Sequence, residues 1–246
     1  MQIHLSRFVT TDVAAGLDAM DREGAAAAAA GADLVVFPEG FLHGYRQAAD
    51  PQALRARFRR LSGDHPGTAF LMGTLTEEGR NRLTFWEKGE ERARYDKVHL
   101  FRPNGEEKLW TPGDRYVAVR FREWTLGLLT CNDIRFPEQA RALRLKAGCD
   151  VLLVPAWWPW RRDHVWRTLL QARAIENAVF TVGCCVAASV WPEEPFSGAG
   201  NHVFDPLGDP VRTPDDHTYV LDRGLSAGVL VDPRAVHVDI GAIEVR

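Results

Sequence analysis

Hydrophobic and polar positions along this chain change repeatedly between the spacing of strands and the spacing of helices. Short apolar or alternating runs predict strands over residues 2–8, 33–37, 69–76, 82–88, 91–95, 117–124, 126–131, 151–155 and 178–187. Apolar residues at helical spacing predict helices over 12–30, 51–61, 137–147 and 165–177, with Gly31 and Gly148 placed as C-terminal caps. A hairpin is predicted from 200–205 and 210–213. Strands mixed with helices throughout predict an α/β fold whose sheets are covered by helices.

Composition narrows the class of protein without identifying a function. The 246 residues are 46% hydrophobic, and 30 Lys and Arg against 33 Asp and Glu leave a net charge of −3. An apolar fraction of this size excludes a disordered chain, and the balanced charge argues against nucleic acid as a partner. We find no secretory signal and no apolar run long enough to span a membrane. We therefore expect a cytoplasmic protein, with residues 1–246 forming one domain.

The cysteines fit the same expectation. Only Cys131, Cys149, Cys184 and Cys185 are present, which is too few and too irregular for a disulfide framework. They also lack the C-x-x-C spacing of a zinc site. We predict no structural disulfide, no metal and no cofactor.

Three predicted strand ends carry polar residues that a packed core does not require. Glu39 follows a buried strand and a proline, Lys97 follows the strand over 91–95, and Cys131 ends the strand over 126–131. Taken alone, each of these three residues would most often be a solvent-exposed or purely structural side chain. Together they supply the roles needed for amide hydrolysis: a thiol nucleophile, a carboxylate that moves protons, and an ammonium that stabilises an oxyanion. A pairing of Cys131 with a histidine is the rival arrangement, and the candidates are His43, His99, His164 and His202.

Four ordered blocks resemble the nitrilase superfamily of carbon–nitrogen hydrolases. The blocks cover most of the chain between residues 32 and 208. They read ADLVVFPE at 32–39 followed by Gly44-Tyr45, YDKVHLF at 95–101 followed by TPG at 111–113, CNDIRFPE at 131–138, and WRTLLQARAIEN at 166–177. The resemblance implies an α/β fold built as a four-layer α-β-β-α sandwich, and assembly as a homodimer or a larger homo-oligomer.

The resemblance also assigns roles to residues of this sequence. Glu39 matches the general base of the family, Lys97 its oxyanion-stabilising lysine and Cys131 its nucleophile. A second catalytic glutamate is expected before the TPG turn. Glu106, seven residues before Gly113, fits that position better than its neighbour Glu107.

Other positions in the region of resemblance depart from the usual family pattern. Asn132 stands where relatives commonly have tyrosine, and it would contribute its main-chain N–H to the oxyanion hole. His202 stands where serine is frequent, and Cys184-Cys185 replaces a polar Asn-Arg pair. These departures affect the expected substrate and leave the expected chemistry unchanged.

The short connection between Lys97 and Gly113, and a chain that reaches only Arg246, look most like the omega-amidase branch. Such enzymes hydrolyse the terminal amide of 2-oxo dicarboxylic acid monoamides, so we expect a small amide substrate. Trp157, in a cluster with Trp158, Trp160 and Trp166, is predicted to line the pocket or to pack a loop. Arg102 is predicted to bind a substrate carboxylate, with Arg161 and Arg162 as further candidates. N-carbamoyl compounds and nitriles remain alternative substrates, and a catalytically silent binding protein is the alternative from a different class.

Overall fold

The computed structural model describes residues 1–213, 215 and 217–227. Residues 228–246, part of the predicted single domain, lie outside the described residues. The strands are β1 (Gln2–Leu5), β2 (Val9–Thr10), β3 (Leu34–Val36), β4 (Ala69–Glu77), β5 (Arg80–Glu87), β6 (Glu90–Asp96), β7 (Val117–Phe121), β8 (Trp124–Leu128), β9 (Val151–Ala156), β10 (Phe180–Cys185), β11 (Ala188–Ser189), β12 (Phe196–Ser197), β13 (His202–Phe204) and β14 (Thr218–Val220). The helices are α1 (Val13–Ala29), α2 (Pro51–Asp64), α3 (Pro137–Ala147), α4 (Asp163–Asn177) and the short α5 (Arg223–Ala227). Short 3₁₀ turns cover Arg102–Asn104, Glu106–Lys108, Cys131–Arg135 and Trp160–Arg162.

Two large sheets contain most of the described strands. The first has the order β14-β1-β3-β4-β5-β6, and the second has the order β13-β10-β9-β8-β7. Each sheet has a parallel centre, β1-β3-β4 in the first and β8-β9-β10 in the second, with antiparallel strands added outside it. A small third sheet joins β2, β11 and β12. Because parallel strands point the same way, several carboxyl ends meet at one edge of each large sheet.

Three apolar clusters place these sheets and helices in four layers. Residues such as Leu34 and Val36 of the first sheet pack against Leu126 and Leu128 of the second. On the outer face of the first sheet, α1 and α2 contribute Met20, Leu54, Phe58 and Leu61 to a second cluster. On the outer face of the second sheet, α3 and α4 contribute Ala140, Leu143, Trp166 and Leu170 to a third. The predicted four-layer α-β-β-α sandwich is confirmed.

The short strands β2, β11, β12 and β14 and the helix α5 were not predicted, and the other differences from the sequence prediction lie at element ends. The strand predicted over 126–131 stops at Leu128, and the chain turns into the 3₁₀ turn Cys131–Arg135. The strand predicted over 178–187 begins at Phe180, because Ala178 ends α4 in the left-handed region with φ of 52°. In the predicted hairpin over 200–213, β13 meets the returning chain through a bridge between Phe204 and Pro210. No helix among the described residues is long and apolar enough to cross a membrane.

Candidate active site

Four strand ends meet where the two large sheets come together. Glu39 follows β3 and Lys97 follows β6 in the first sheet, while Cys131 follows β8 and Trp157 follows β9 in the second. Proline has no main-chain N–H, so Pro38 cannot continue the hydrogen bonding of β3. The chain leaves the sheet there, and Glu39 turns into the interior. The sequence prediction that these separate strand ends lie together agrees with this geometry.

Lys97 lies buried between two carboxylates. Its Nζ donates to Glu39 Oε1 at 2.8 Å and to Glu106 at 2.9 Å. The three side chains are essentially inaccessible to solvent, at 0–2% exposure. Ionic groups so deeply buried are rare in a core unless they are paired, and here two acids share one ammonium. The structure therefore distinguishes Glu106 from the exposed Glu107 as the acid that contacts Lys97.

Glu39 is held by donors from several elements. Asn81 Nδ2 donates to Oε1 at 2.9 Å, and the main-chain N–H of Trp157 donates to Oε2 at 3.0 Å. Tyr45 lies close to this carboxylate, and burial followed by the negative charge of Glu39 raises the pKa of the Tyr45 hydroxyl well above its usual value. Glu106 is held by Lys97 and by the N–H of Phe101 at 2.8 Å. Both carboxylates are thus fixed in position before any ligand binds.

The charge on the lysine is maintained by its neighbours. Burial disfavours the ammonium of Lys97, but the negatively charged carboxylates of its neighbours, chiefly Glu39, outweigh burial and raise its pKa above its usual value. Burial raises the pKa of Glu106, while Lys97 opposes that rise. Lys97 remains a permanent cation at neutral pH, which suits it to hold a developing negative charge.

Cys131 lies on a sharp turn that presents its side chain to the site. Its φ of 47° is in the left-handed region, which non-glycine residues rarely occupy and which often marks functional positions. The N–H of Thr130 donates to the Asp133 carboxylate at 2.8 Å, and the N–H of Asp133 donates to the Thr130 carbonyl at 3.0 Å, which closes this turn from both sides. The Cys131 thiol is 6% exposed and donates to the carbonyl of Trp157 at 3.8 Å.

Charge and burial keep Cys131 protonated at rest. Burial raises the pKa of its thiol well above the usual value, Glu39 raises it further, and Lys97 partly opposes them. A thiol of this kind needs a base beside it at the moment of attack, because the thiolate is the reactive form. Glu39 and Cys131 are linked through one residue, since Trp157 donates to the first and accepts from the second.

The rival pairing of Cys131 with a histidine has no support in the described residues. His99 Nδ1 contacts Asp133 at 2.9 Å, and its main-chain N–H donates to the same carboxylate. His43 contacts the Gly44 carbonyl, and His202 contacts Asp163. The fourth candidate, His164, is exposed on the start of α4.

Asp133 ties the lysine block to the nucleophile block. Its two oxygens accept from the N–H of Thr130, the hydroxyl of Tyr95, and both the N–H and the ring of His99. Asp133 is fully buried, so these donors replace the water that its carboxylate loses. The turn that carries Cys131 is thereby anchored to the segment that carries Lys97.

A cavity of about 530 Å³ opens above Cys131. Its lining includes the predicted site residues Glu106, Asn132 and Trp157, with Tyr45, Trp158 and Phe196 adding aromatic surface. The Asn132 amide donates to the His99 carbonyl at 3.0 Å, which fixes the residue that follows the nucleophile. Arg102 is exposed and does not belong to this lining, whereas Arg135 and Arg162 do. Of the three arginines named from the sequence, Arg161 and Arg162 line the cavity and Arg102 does not, while Arg135 was not named.

Sequence reasoning assigned no role to three residues at this site. Asn81 donates to Glu39, and Tyr45 and Arg135 line the cavity. Tyr45 and Arg135 lie inside the blocks that carry the family resemblance, so their positions were a signal. Asn81 follows a turn in an exposed-looking stretch of sequence, and only the fold shows that it reaches Glu39.

Replacing Asn81 by leucine tests whether it positions Glu39. We expect kcat/KM to fall about 10- to 100-fold, the range for one lost hydrogen bond to a charged group. Rates of the purified variant, with its folding checked by circular dichroism, test this expectation. A folded variant that keeps the rate of the parent enzyme would mean that Asn81 does not position Glu39.

Paired glutamate variants test the assignment of the second acid. Glu106→Ala removes a buried partner of Lys97, and we expect kcat/KM to fall about 100-fold or more. Glu107→Ala removes an exposed side chain and should stay within about threefold of the parent. Steady-state ammonia release from the two variants gives the comparison. Equal losses would refute the choice of Glu106.

No group of three or more metal-binding side chains was found within the described residues. Their four cysteines are all free thiols. The arrangement around Cys131 can perform nucleophilic acyl transfer with side chains alone.

Residues 1–222 match the family model described as carbon-nitrogen hydrolase. The chain is 33% identical over 215 residues to omega-amidase YafV of Escherichia coli K12, covering 83% of this chain and 81% of that protein. It is 32% identical over 225 residues to 2-oxoglutaramate amidase of Paenarthrobacter nicotinovorans, covering 83% and 76%.

A solved structure with a similar fold is a variant of the amidase from Nesterenkonia sp. AN1. It superposes with a TM-score of 0.80 at 25% identity, covering 93% of this chain and 96% of that chain. In that structure acrylamide has undergone Michael addition at the active-site cysteine. The Nesterenkonia amidase is described as a member of the nitrilase superfamily.

Proposed function

The chain belongs to the carbon–nitrogen hydrolase family of the nitrilase superfamily, and from this premise we propose that it releases ammonia from a small amide through a thioester on Cys131. The observation that carries the proposal is the buried cluster in which Lys97 joins Glu39 and Glu106 beside the Cys131 thiol. The family membership supports amide hydrolysis. The residue roles and the substrate are our proposal.

Attack begins with a proton transfer. Glu39 accepts the thiol proton as the Cys131 sulfur bonds to the amide carbon. The carbonyl oxygen becomes an oxyanion, which accepts hydrogen bonds from Lys97 Nζ and from the main-chain N–H of Asn132. Loss of one such donor typically costs about 10²- to 10³-fold in kcat. Glu106 keeps Lys97 oriented, because it accepts from the same Nζ.

Collapse of the tetrahedral intermediate releases the amine. The proton held by Glu39 passes to the leaving nitrogen, ammonia departs, and the acyl group remains on the Cys131 sulfur as a thioester. Glu39, again a carboxylate, then takes a proton from water as the water oxygen attacks the thioester carbon. A second collapse restores the thiol and releases a carboxylic acid, so the balance is amide plus water giving acid plus ammonia.

For the substrate we propose the terminal amide of a short dicarboxylic acid monoamide, the omega-amidase type of reaction. The relatives named omega-amidase and 2-oxoglutaramate amidase support this choice. An ammonia-release screen over short amides, 2-oxo acid monoamides, N-carbamoyl compounds and nitriles tests it. Carbon dioxide released together with ammonia would instead identify a carbamoyl substrate. Turnover of none of these classes would favour the silent binding protein.

A further inference from the structure

Two segments that are far apart in the sequence form one aromatic wall of the cavity. Tyr45 belongs to the segment that follows Glu39, and Phe196 begins β12. The ring centre of Trp157 lies 5.6 Å from that of Tyr45 and 5.0 Å from that of Phe196. Because the N–H of Trp157 binds Glu39 and its carbonyl accepts from Cys131, this aromatic wall is joined to the catalytic residues.

Glu194 connects the two segments of the wall. Its Oε2 accepts from the main-chain N–H of Tyr45 at 2.9 Å, across 149 residues of sequence. In a second contact beside it, the Arg46 guanidinium donates to the carbonyl of Glu193 at 2.9 Å. The second contact uses only the main chain of Glu193. Of these two adjacent glutamates, only Glu194 therefore contributes its side chain to the connection.

Gly44 leaves the space that the Glu194 carboxylate occupies. A Cβ at Gly44 would lie 2.1 Å from Glu194 Oε2, which is much shorter than any ordinary contact. The φ of Gly44 is 56°, in the left-handed region that glycine adopts without strain. A side chain at this position would displace the carboxylate from the N–H of Tyr45. The close fit indicates a specific seat for Glu194.

The seat holds a carboxylate that burial disfavours. Burial raises the pKa of Glu194 above its usual value, and the N–H of Tyr45, followed by the charge of Arg46, opposes that rise. Hydrogen bonds to an ionised acceptor are stronger than those to a neutral one. Glu194 therefore holds the main chain at Tyr45 more firmly than a neutral loop contact would.

The side chain that depends on this contact lies beside the catalytic residues. Tyr45 lines the cavity, and its ring centre lies 5.3 Å from that of Trp110 as well as close to Trp157. Its hydroxyl lies near Glu39 and Glu106, whose negative charges add to burial in raising its pKa. A shift of the main chain at Tyr45 would therefore move an aromatic surface beside the position where an amide must bind.

We propose that Glu194 is a positioning residue for substrate binding, and that it acts through the main chain of Tyr45 to hold the aromatic wall in place. The inference rests on the proposed function, because it assumes that the amide binds between this wall and Cys131. Glu194 lies outside the four sequence blocks that carry the family resemblance. Its loss should weaken substrate binding more than it slows the chemical step.

The adjacent glutamates provide a matched pair of variants. Glu194→Ala should raise KM for glutaric acid monoamide about tenfold and change kcat less than about threefold, because one hydrogen bond to a charged group is lost. Glu193→Ala removes an exposed side chain, keeps the carbonyl that Arg46 contacts, and should stay within about twofold of the parent. Glu194→Gln keeps an acceptor oxygen and should recover most of the loss. A parent-like KM in Glu194→Ala would overturn the inference.

A double-mutant cycle tests whether Glu194 acts through Tyr45. Tyr45→Ala should itself raise KM, because it removes a ring from the aromatic wall. Adding Glu194→Ala to Tyr45→Ala should change KM less than about twofold, since the ring that Glu194 positions is already gone. A further rise of about tenfold in the double variant would show that Glu194 acts by another route and would overturn the assignment.

Hydrogen exchange separates failure of this inference from failure of the proposed function. Measured by NMR, the Tyr45 N–H should exchange at least tenfold faster in Glu194→Ala than in the parent or in Glu193→Ala. Unchanged exchange would overturn the inference whether or not any amide is hydrolysed.

If the parent hydrolyses no amide, the proposed function fails, and alkylation of Cys131 by acrylamide replaces hydrolysis in the same comparison. The acrylamide concentration that gives the half-maximal rate should then rise about tenfold in Glu194→Ala and stay unchanged in Glu193→Ala. The same concentration in all three proteins would overturn the inference.

Discussion

Cys131→Ala is expected to abolish ammonia release while leaving the protein folded. Without the sulfur no thioester forms, so we expect kcat to fall by about 10⁴-fold or more, to the limit of detection. The side chain that remains is the smaller alanine at a position with φ of 47°, so the turn keeps a Cβ and the hydrogen bonds between Thr130 and Asp133. Ammonia release and circular dichroism of the purified variant test activity and folding separately.

Cys149→Ala is the matched control for that experiment. Cys149 is also fully buried and has a free thiol, but it packs in the cluster beneath α3 and does not line the cavity. We expect it to keep the rate of the parent enzyme within about threefold, with some loss of stability from the cavity it leaves. Full activity of Cys131→Ala would refute the nucleophile assignment.

Glu39→Gln and Lys97→Met are expected to disable the same chemistry while moving the Cys131 titration in opposite directions. Each should lower kcat by about 10³-fold or more, because a concerted set loses one member. Glu39 raises the pKa of the Cys131 thiol and Lys97 lowers it. The pH at which iodoacetamide reacts half-maximally with Cys131 should therefore be lower than the parent value in Glu39→Gln and higher in Lys97→Met.

Stability distinguishes the two variants further. Glu39→Gln keeps the shape of the side chain and removes one charge from a crowded cluster. Lys97→Met leaves two buried carboxylates without their ammonium, which costs about 3–5 kcal/mol of unfolding free energy in comparable buried pairs. Chemical denaturation measures this loss. A Cys131 titration that moves the same way in both variants would contradict the electrostatic account.

The sequence was most informative where local rules determine structure. Apolar periodicity located the four long helices, and Gly148 in the left-handed region at the end of α3 matches the predicted cap. The catalytic candidates were found because Glu39, Lys97 and Cys131 each lie at the end of a predicted strand. Packing of the core does not require polar or reactive side chains at these positions. The family blocks then made the choice of Glu106 over Glu107 possible, and the contact between Glu106 and Lys97 agrees with it.

Contacts between distant segments could not be read from spacing. Asn81 reaches Glu39 only because β5 pairs between β4 and β6, and Trp158 lies beneath Arg135 only because β9 and the turn after β8 end at the same edge. Arg102 was predicted from the sequence, with Arg161 and Arg162, to bind a substrate carboxylate. The 3₁₀ turn over Arg102–Asn104 instead leaves its side chain exposed.

Partitioning of the acyl group between water and hydroxylamine tests the central claim, that hydrolysis passes through a thioester on the enzyme. Glutaric acid monoamide and the corresponding N-methylamide would be hydrolysed in the presence of a fixed hydroxylamine concentration, and the ratio of hydroxamate to acid measured for each. If both substrates form the same acyl-enzyme, the ratio must be identical although their leaving groups differ. Ratios that depend on the leaving group, or release of acid without any hydroxamate, would contradict the account.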